Sequence, residues 1–172
     1  MEQNEDVAFC GSRAKELFNG RLYPTSYPFT EKDHKIRKNL CWLNSVPHSF
    51  VIFRKSLFLK AGGYDPDLAI AHDYDLWIRL LGEGKGHNLN ENLGVFRIHR
   101  TSISTKKERT MIRETFTVQW RAYQKLGGSF WKMARSLCGR AAAWFLPAEM
   151  RFYRRAIVRN KKLQKAIEKP TV

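Results

Sequence analysis

The order of apolar and polar positions divides the chain into short alternating elements followed by longer helical ones. Val7-Ala8-Phe9-Cys10 is a short apolar run closed by Gly11, the pattern of a buried strand. Residues 20–33 hold Gly20, Pro24, Ser26, Pro28 and Thr30, which predicts a loop. A strand is expected over residues 49–53. Residues 55–61 then form a short helix stopped by Gly62-Gly63, where glycine takes the left-handed C′ position at little cost. Over residues 73–82, Leu76, Trp77, Leu80 and Leu81 share one face, so this is a helix with acids in its first turn and Trp77 in the core. Residues 93–98 read as a further strand. From Thr105 the pattern is helical: Thr105-Lys-Lys-Glu108 is a capping box, and Ile112, Phe116, Trp120 and Tyr123 form a stripe that ends at Gly127-Gly128. A second helix runs through Trp131, Ala134, Leu137, Cys138, Ala141 and Phe145 to Pro147, and a third, basic and amphipathic, covers residues 149–167. The pattern predicts an α/β unit over residues 1–104, with three or four strands, and an α-helical extension over residues 105–172.

Charge sharpens that division. The 172 residues carry 31 Lys and Arg against 16 Asp and Glu, a formal net charge of +15. Residues 1–104 contribute +2 and residues 105–172 contribute +13. A field of that size seeks a polyanion, either nucleic acid or an anionic membrane face. Arg151, Arg154, Arg155, Arg159, Lys161, Lys162 and Lys165 surround Met150, Phe152, Tyr153, Ile157 and Leu163, the composition of a helix lying on an anionic membrane surface. No zinc finger, recognition helix or aromatic RNA-binding signature supports the nucleic-acid alternative. A composition 43% hydrophobic supports a core and excludes a wholly disordered chain. No apolar stretch approaches the roughly 18 residues of a membrane span. The acidic start, Met-Glu-Gln-Asn-Glu-Asp, is the reverse of a secretory leader. Cys10, Cys41 and Cys138 are too dispersed for a disulfide framework or a zinc cage. The expected location is cytoplasmic, peripheral at the inner membrane face.

Three segments put ionisable groups at element ends: Pro47-His48-Ser49, Ala71-His72-Asp73-Tyr74-Asp75-Leu76-Trp77, and Arg97-Ile98-His99-Arg100-Thr101-Ser102-Ile103-Ser104. With His48-Ser49 before a strand ending in Arg54, Gly62-Gly63-Tyr64-Asp65, Asp73-Tyr74-Asp75-Leu76-Trp77 and Arg97-x-His99-x-x-Ser102-x-Ser104, residues 45–104 resemble the C-terminal, acceptor-side half of a family 2 glycosyltransferase domain of the GT-A type. The order and spacing of four such motifs carry the resemblance; residues 4–44 resemble the preceding segment less distinctively.

The resemblance implies transfer of a sugar, with inversion, from a nucleotide-diphosphate donor to an acceptor hydroxyl in polysaccharide or glycolipid synthesis. It makes Asp73 the catalytic base, places Arg97 and His99 beside the donor diphosphate, and places His48, Gly62, Gly63 and Asp75 beside the acceptor. It implies a divalent cation, Mg²⁺ or Mn²⁺, to which His99 could be a ligand. The residues themselves leave alternatives open. Asp73 and Asp75 could simply cap a helix, His99 could be a satisfied histidine at a strand end, and His72 stands where the family commonly has Glu. Nothing before residue 45 supplies an Asp-x-Asp metal motif or a Gly-rich phosphate loop. Asp73-x-Asp75 has the letters of that motif but opens a helix, where positions i and i+2 diverge. The expectation is therefore a partial domain whose donor half is missing, inactive alone, and either a truncated reading frame or one part of a split enzyme whose other half is a separate chain. The alternative is a non-catalytic acceptor-binding or regulatory module.

Overall fold

The computed structural model describes residues 1–18, 20–24, 28–97 and 107–146. Four strands form one mixed sheet: β1 (Val7–Phe18), β2 (Arg21–Tyr23), β3 (Val51–Phe53) and β4 (Lys85–Arg97). β4 runs parallel to β1 along one side, from Val7 opposite Lys85 to Leu17 opposite Arg97. The other side of β1 is shared by two antiparallel strands, β3 against Phe9–Gly11 and β2 against Glu16–Phe18. Five helices complete the described chain: α1 (Asp33–Leu40), α2 (Lys55–Lys60), α3 (His72–Glu83), α4 (Glu108–Leu126) and α5 (Phe130–Trp144). The result is mixed α/β.

The central strand is longer than its apolar run. β1 continues through Gly11, and Ser12, Ala14 and Glu16 alternate inward. That alternation has the period of a strand, but two of its three buried residues are polar, so hydrophobicity conceals it. β4 likewise begins at Lys85, well before the apolar residues that mark its second half. Within the segment expected to be loop, Gly20 adopts φ +75° and turns β1 into β2. α1 follows, with Ile36 and Leu40 buried one helical turn apart.

The core lies where α3 crosses the sheet. Leu76, Trp77 and Leu80 are fully buried with Phe9 of β1 and Ile36 and Leu40 of α1; the Phe9 and Trp77 rings sit 5.2 Å apart. Burying side chains of this size contributes about 1.5–3 kcal/mol each. α4 belongs to this core: Val118 and Ala122 are fully buried in it. Its buried residues include Ile112, Thr115, Val118, Gln119 and Ala122; of the expected stripe Ile112 is buried and Tyr123 packs partly buried against the core, whereas Trp120 is 49% exposed. On α5 Met133 is buried, whereas Trp131 and Cys138 are exposed. The expected capping residue Thr105 and the basic helix over residues 149–167 lie outside the described residues.

Two arginines fasten the frame. Arg54 bonds the carbonyls of Val7 (2.9 Å), Met1 (2.7 Å) and Asn4 (2.9 Å), tying the N-terminal segment to the end of β3. Arg37 donates to the Leu81 and Gly84 carbonyls at 2.8 Å each, placing a cation at the negative end of the α3 dipole.

Candidate functional site: a carboxylate among two histidines and a tyrosine

α3 opens at His72 after Ala71, which has no side chain to cap it. The first turn of a helix leaves backbone N–H groups without partners. Asp73 supplies one acceptor: its Oδ1 takes the Tyr74 N–H at 2.7 Å. Among the described residues its Oδ2 meets only Asn44, which donates across 3.5 Å. Asp73 thus serves the helix start with one oxygen and keeps the other weakly engaged.

Around it gather residues from two other segments. The 3-10 turn His48–Phe50 leads into β3 and presents His48, whose Nε2 lies 2.9 Å from the Tyr64 hydroxyl. Tyr64 follows the glycine pair that terminates α2. Gly62 (φ +84°) and Gly63 (φ +67°) both lie in the left-handed region, which glycine alone enters freely, and the Gly63 N–H closes on the Phe58 carbonyl. Ring centroids of Tyr64 and His72 are 5.4 Å apart, of His48 and His72 5.7 Å, and of His48 and Tyr64 5.9 Å, all near-perpendicular. Trp77 lies beneath, 6.0 Å from His48. Its full burial makes it floor rather than exposed platform.

Burial pushes the Asp73 carboxyl above its ordinary 3.8; the Tyr74 N–H and the neighbouring His48 and His72 act in the opposite direction. Burial and the Asp73 charge push the Tyr64 hydroxyl up, which keeps it a phenol at neutral pH. A carboxylate made more basic by its surroundings, with one oxygen open and imidazoles beside it, is equipped to accept a proton.

Asp75 has different surroundings. It is 2% exposed, and Arg79 donates to its Oδ2 at 2.7 Å while Arg121 of α4 donates to its Oδ1 at 2.9 Å. Arg121 also bonds Asp65 at 2.9 Å, and Arg79 donates to the Ala61 carbonyl. The network joins the glycine turn, α3 and α4 beside a cleft of about 480 Å³ lined by Gly62, Tyr64, Asp65, Asp75, Arg79 and Arg121. With both oxygens held by guanidinium groups, Asp75 does not combine with Asp73 into a cation-binding pair. No group of three or more His, Cys, Asp or Glu side chains able to hold a metal ion occurs among the described residues.

The remaining candidates separate. Arg97 is exposed at the end of β4, opposite Leu17. That register is six positions along β1 from Gly11, whose partner Val51 adjoins the His48 turn, so about 20 Å of strand intervenes. His99 lies outside the described residues. One residue that motif reasoning passed over is Glu114 of α4. It is 4% exposed and accepts the N–H groups of Ala69 (3.0 Å), Ile70 (2.8 Å) and Ala71 (2.9 Å), fixing the segment that delivers His72 and Asp73. Burial alone would raise its carboxyl, but the three donors prevail and hold it below the ordinary 4.5. A lone acid on a helix carries no sequence signal of such partners.

Over 72 residues the chain is 39% identical to the O-antigen biosynthesis glycosyltransferase WbnJ of Escherichia coli. The chain is related, in part, to a glycosyltransferase. The match covers 40% of this chain and 28% of that protein, so the chain spans under a third of the relative's length. No protein-family model matches the chain.

Proposed function

We propose that this chain supplies the acceptor side of a glycosyl-transfer site of the family 2, GT-A kind. An acceptor hydroxyl attacks the anomeric carbon of a sugar carried on a nucleotide diphosphate. The bond to the diphosphate breaks with its electron pair leaving on the phosphate oxygen, the configuration inverts, and the hydroxyl proton passes to Asp73. The observation that carries this reading is the convergence of His48, Tyr64 and His72 on Asp73, whose Oδ2 has one long contact among the described residues. The histidines and the tyrosine hydroxyl would orient the acceptor by hydrogen bonds, and Gly62 and Gly63 would let the backbone approach it closely.

By analogy with the O-antigen relative, the acceptor is a saccharide of a surface polysaccharide or a lipid-linked glycan, handled at the cytoplasmic membrane face by the basic residues of the C-terminal third. In this proposal the donor diphosphate and its divalent cation belong with a partner chain that carries a donor-binding half; Arg97, about 20 Å of strand from the His48 turn, takes no part in the Asp73 site. No step is assigned to the cation, because the described carboxylates do not form a site for it. The second reading, a non-catalytic acceptor-binding module, is favoured by one observation: Asp73 Oδ1 already accepts the Tyr74 N–H, a structural task for the same carboxylate.

Two measurements test the proposal. Nuclear magnetic resonance titration with oligosaccharide acceptors should shift the signals of His48, Tyr64 and His72. Transfer from nucleotide-diphosphate sugars should fall about 10²–10⁴-fold in Asp73→Asn, the usual loss of a general base. Acceptor shifts at these residues in a chain that never turns over, even beside a donor-binding partner, would select the module. Turnover untouched by Asp73→Asn would sink the catalytic assignment.

A further inference from the structure

A strongly basic feature of the described residues lies away from the Asp73 cluster, where the nearly neutral first part of the chain meets the start of α5. A cleft of about 810 Å³ is lined by Arg13 of β1, Lys32, Lys35 and Lys38 of and just before α1, and Lys132 of α5. One carboxylate, Glu31, lines it as well. It shares no residue with the Asp73 cluster or with the cleft beside Asp75.

The ion pairs among the described residues involve none of the five; the α1 pair is Arg37 with Asp33. Arg13 is instead seated on the Phe29 ring, 4.1 Å from its centroid, and its buried Nε has no hydrogen-bond partner among the described residues. Stacking of this kind fixes the guanidinium plane in advance. Lys132 sits 5.6 Å over the Trp42 ring.

The cleft is also built rather than accidental. Gly128 joins α4 to α5 at φ +127°, and a Cβ there would come within 2.4 Å of Cys41 Sγ and 3.2 Å of the Lys38 carbonyl. That contact brings the start of α5 against the end of α1 and sets Lys132 across from Lys35 and Lys38. Like charges held together this way repel one another and destabilise the fold unless an anion screens them.

We infer that this cleft is a binding site for a ligand carrying two or more phosphate groups. Lysine ammonium groups and a preset guanidinium bind phosphate oxygens through charge-assisted hydrogen bonds. Five cations against one carboxylate exceed what a single phosphate neutralises, and the volume admits several phosphate groups. The phosphates could belong to a soluble ligand or to lipid headgroups. The inference stands apart from the glycosyl-transfer proposal and does not depend on it.

The test titrates the full chain with inorganic tripolyphosphate by calorimetry, and separately with anionic phospholipid vesicles by flotation. Three proteins are compared: the wild type, Lys35→Gln/Lys38→Gln/Lys132→Gln, and the control Lys15→Gln/Lys55→Gln/Lys107→Gln. All six lysines are exposed, so both variants should keep the wild-type circular dichroism spectrum. Tripolyphosphate should bind the wild type, weaken as salt is added, and lose at least about tenfold in affinity in the cleft variant but not in the control. Vesicle binding that falls in the same variant and is competed by tripolyphosphate identifies headgroups as the source of the phosphates. Vesicle binding unchanged by the cleft variant identifies a soluble ligand. Absence of tripolyphosphate binding to the wild type, or equal losses in the two variants, would overturn the inference.

Discussion

Asp73 and Asp75 sit two positions apart in the first turn of α3, roughly 200° around the helix from one another, and the two sides of that turn differ in kind. On the Asp75 side, two guanidinium groups and a second carboxylate knit α3 to α4 and to the glycine turn after α2. On the Asp73 side no guanidinium approaches within bonding distance among the described residues; the neighbours are two imidazoles, a phenol and an amide. The same functional group therefore serves two purposes. Where its charge is matched it holds elements together, and where burial leaves it under-stabilised its carboxyl is raised above the ordinary value.

The largest test of the contrast is the pair of isosteric changes Asp73→Asn and Asp75→Asn. The first should remove transfer by the 10²–10⁴ factor given above without lowering the melting temperature. Its sign follows from the raised carboxyl: the folded state disfavours the charged form of Asp73, so the anion is a small liability above its folded pKa, and the amide removes it. Asp75→Asn should instead cost about 3 kcal/mol, somewhat less than a fully buried pair because the Arg121 side chain is 43% exposed. Thermal denaturation should show this as a drop of several degrees. A stable Asp75→Asn protein, or a destabilised Asp73→Asn protein, would erase the distinction.

Glu114→Gln comes next. It removes the charge from an acceptor of three N–H groups and should cost about 2 kcal/mol. The pH dependence has a definite sign. Because the folded carboxyl is held below 4.5, its contribution is complete above that value and is lost as pH falls through the lowered folded pKa. Wild type and Glu114→Gln should accordingly converge in stability in acid, as followed by denaturant midpoints. A constant gap at all pH values would show that the carboxylate charge is irrelevant.

The smallest expected effect is His48→Gln. His48 is one of the groups that lower the Asp73 pKa, so its replacement should move the Asp73 titration midpoint further upward, read by carboxyl carbon resonances. Stability should hardly change, because His48 is exposed. An unmoved midpoint would remove His48 from the electrostatics of the site.

The sequence by itself determined the elements whose signal is local. α3 follows from apolar residues at helical spacing, the end of α2 from two glycines that can enter the left-handed region, and the burial of Trp77 from its place on the same face as Leu80 and Leu81. It also singled out His48, Gly62, Gly63 and Asp73, which motif order relates to glycosyltransferases. Only the tertiary structure decided what each acid does. Asp73 and Asp75 are the same residue type in the same turn, and their difference is made by Arg121 and Glu114, some 40 residues on, brought back by the packing of α4 against α3. The same holds for β1, whose buried Ser12 and Glu16 carry no hydrophobic signal, and for the basic cleft, whose five cations come from three separate elements. Local pattern reports the free energy of burying a residue's own apolar surface, whereas charge pairing and pKa depend on which distant groups share its space.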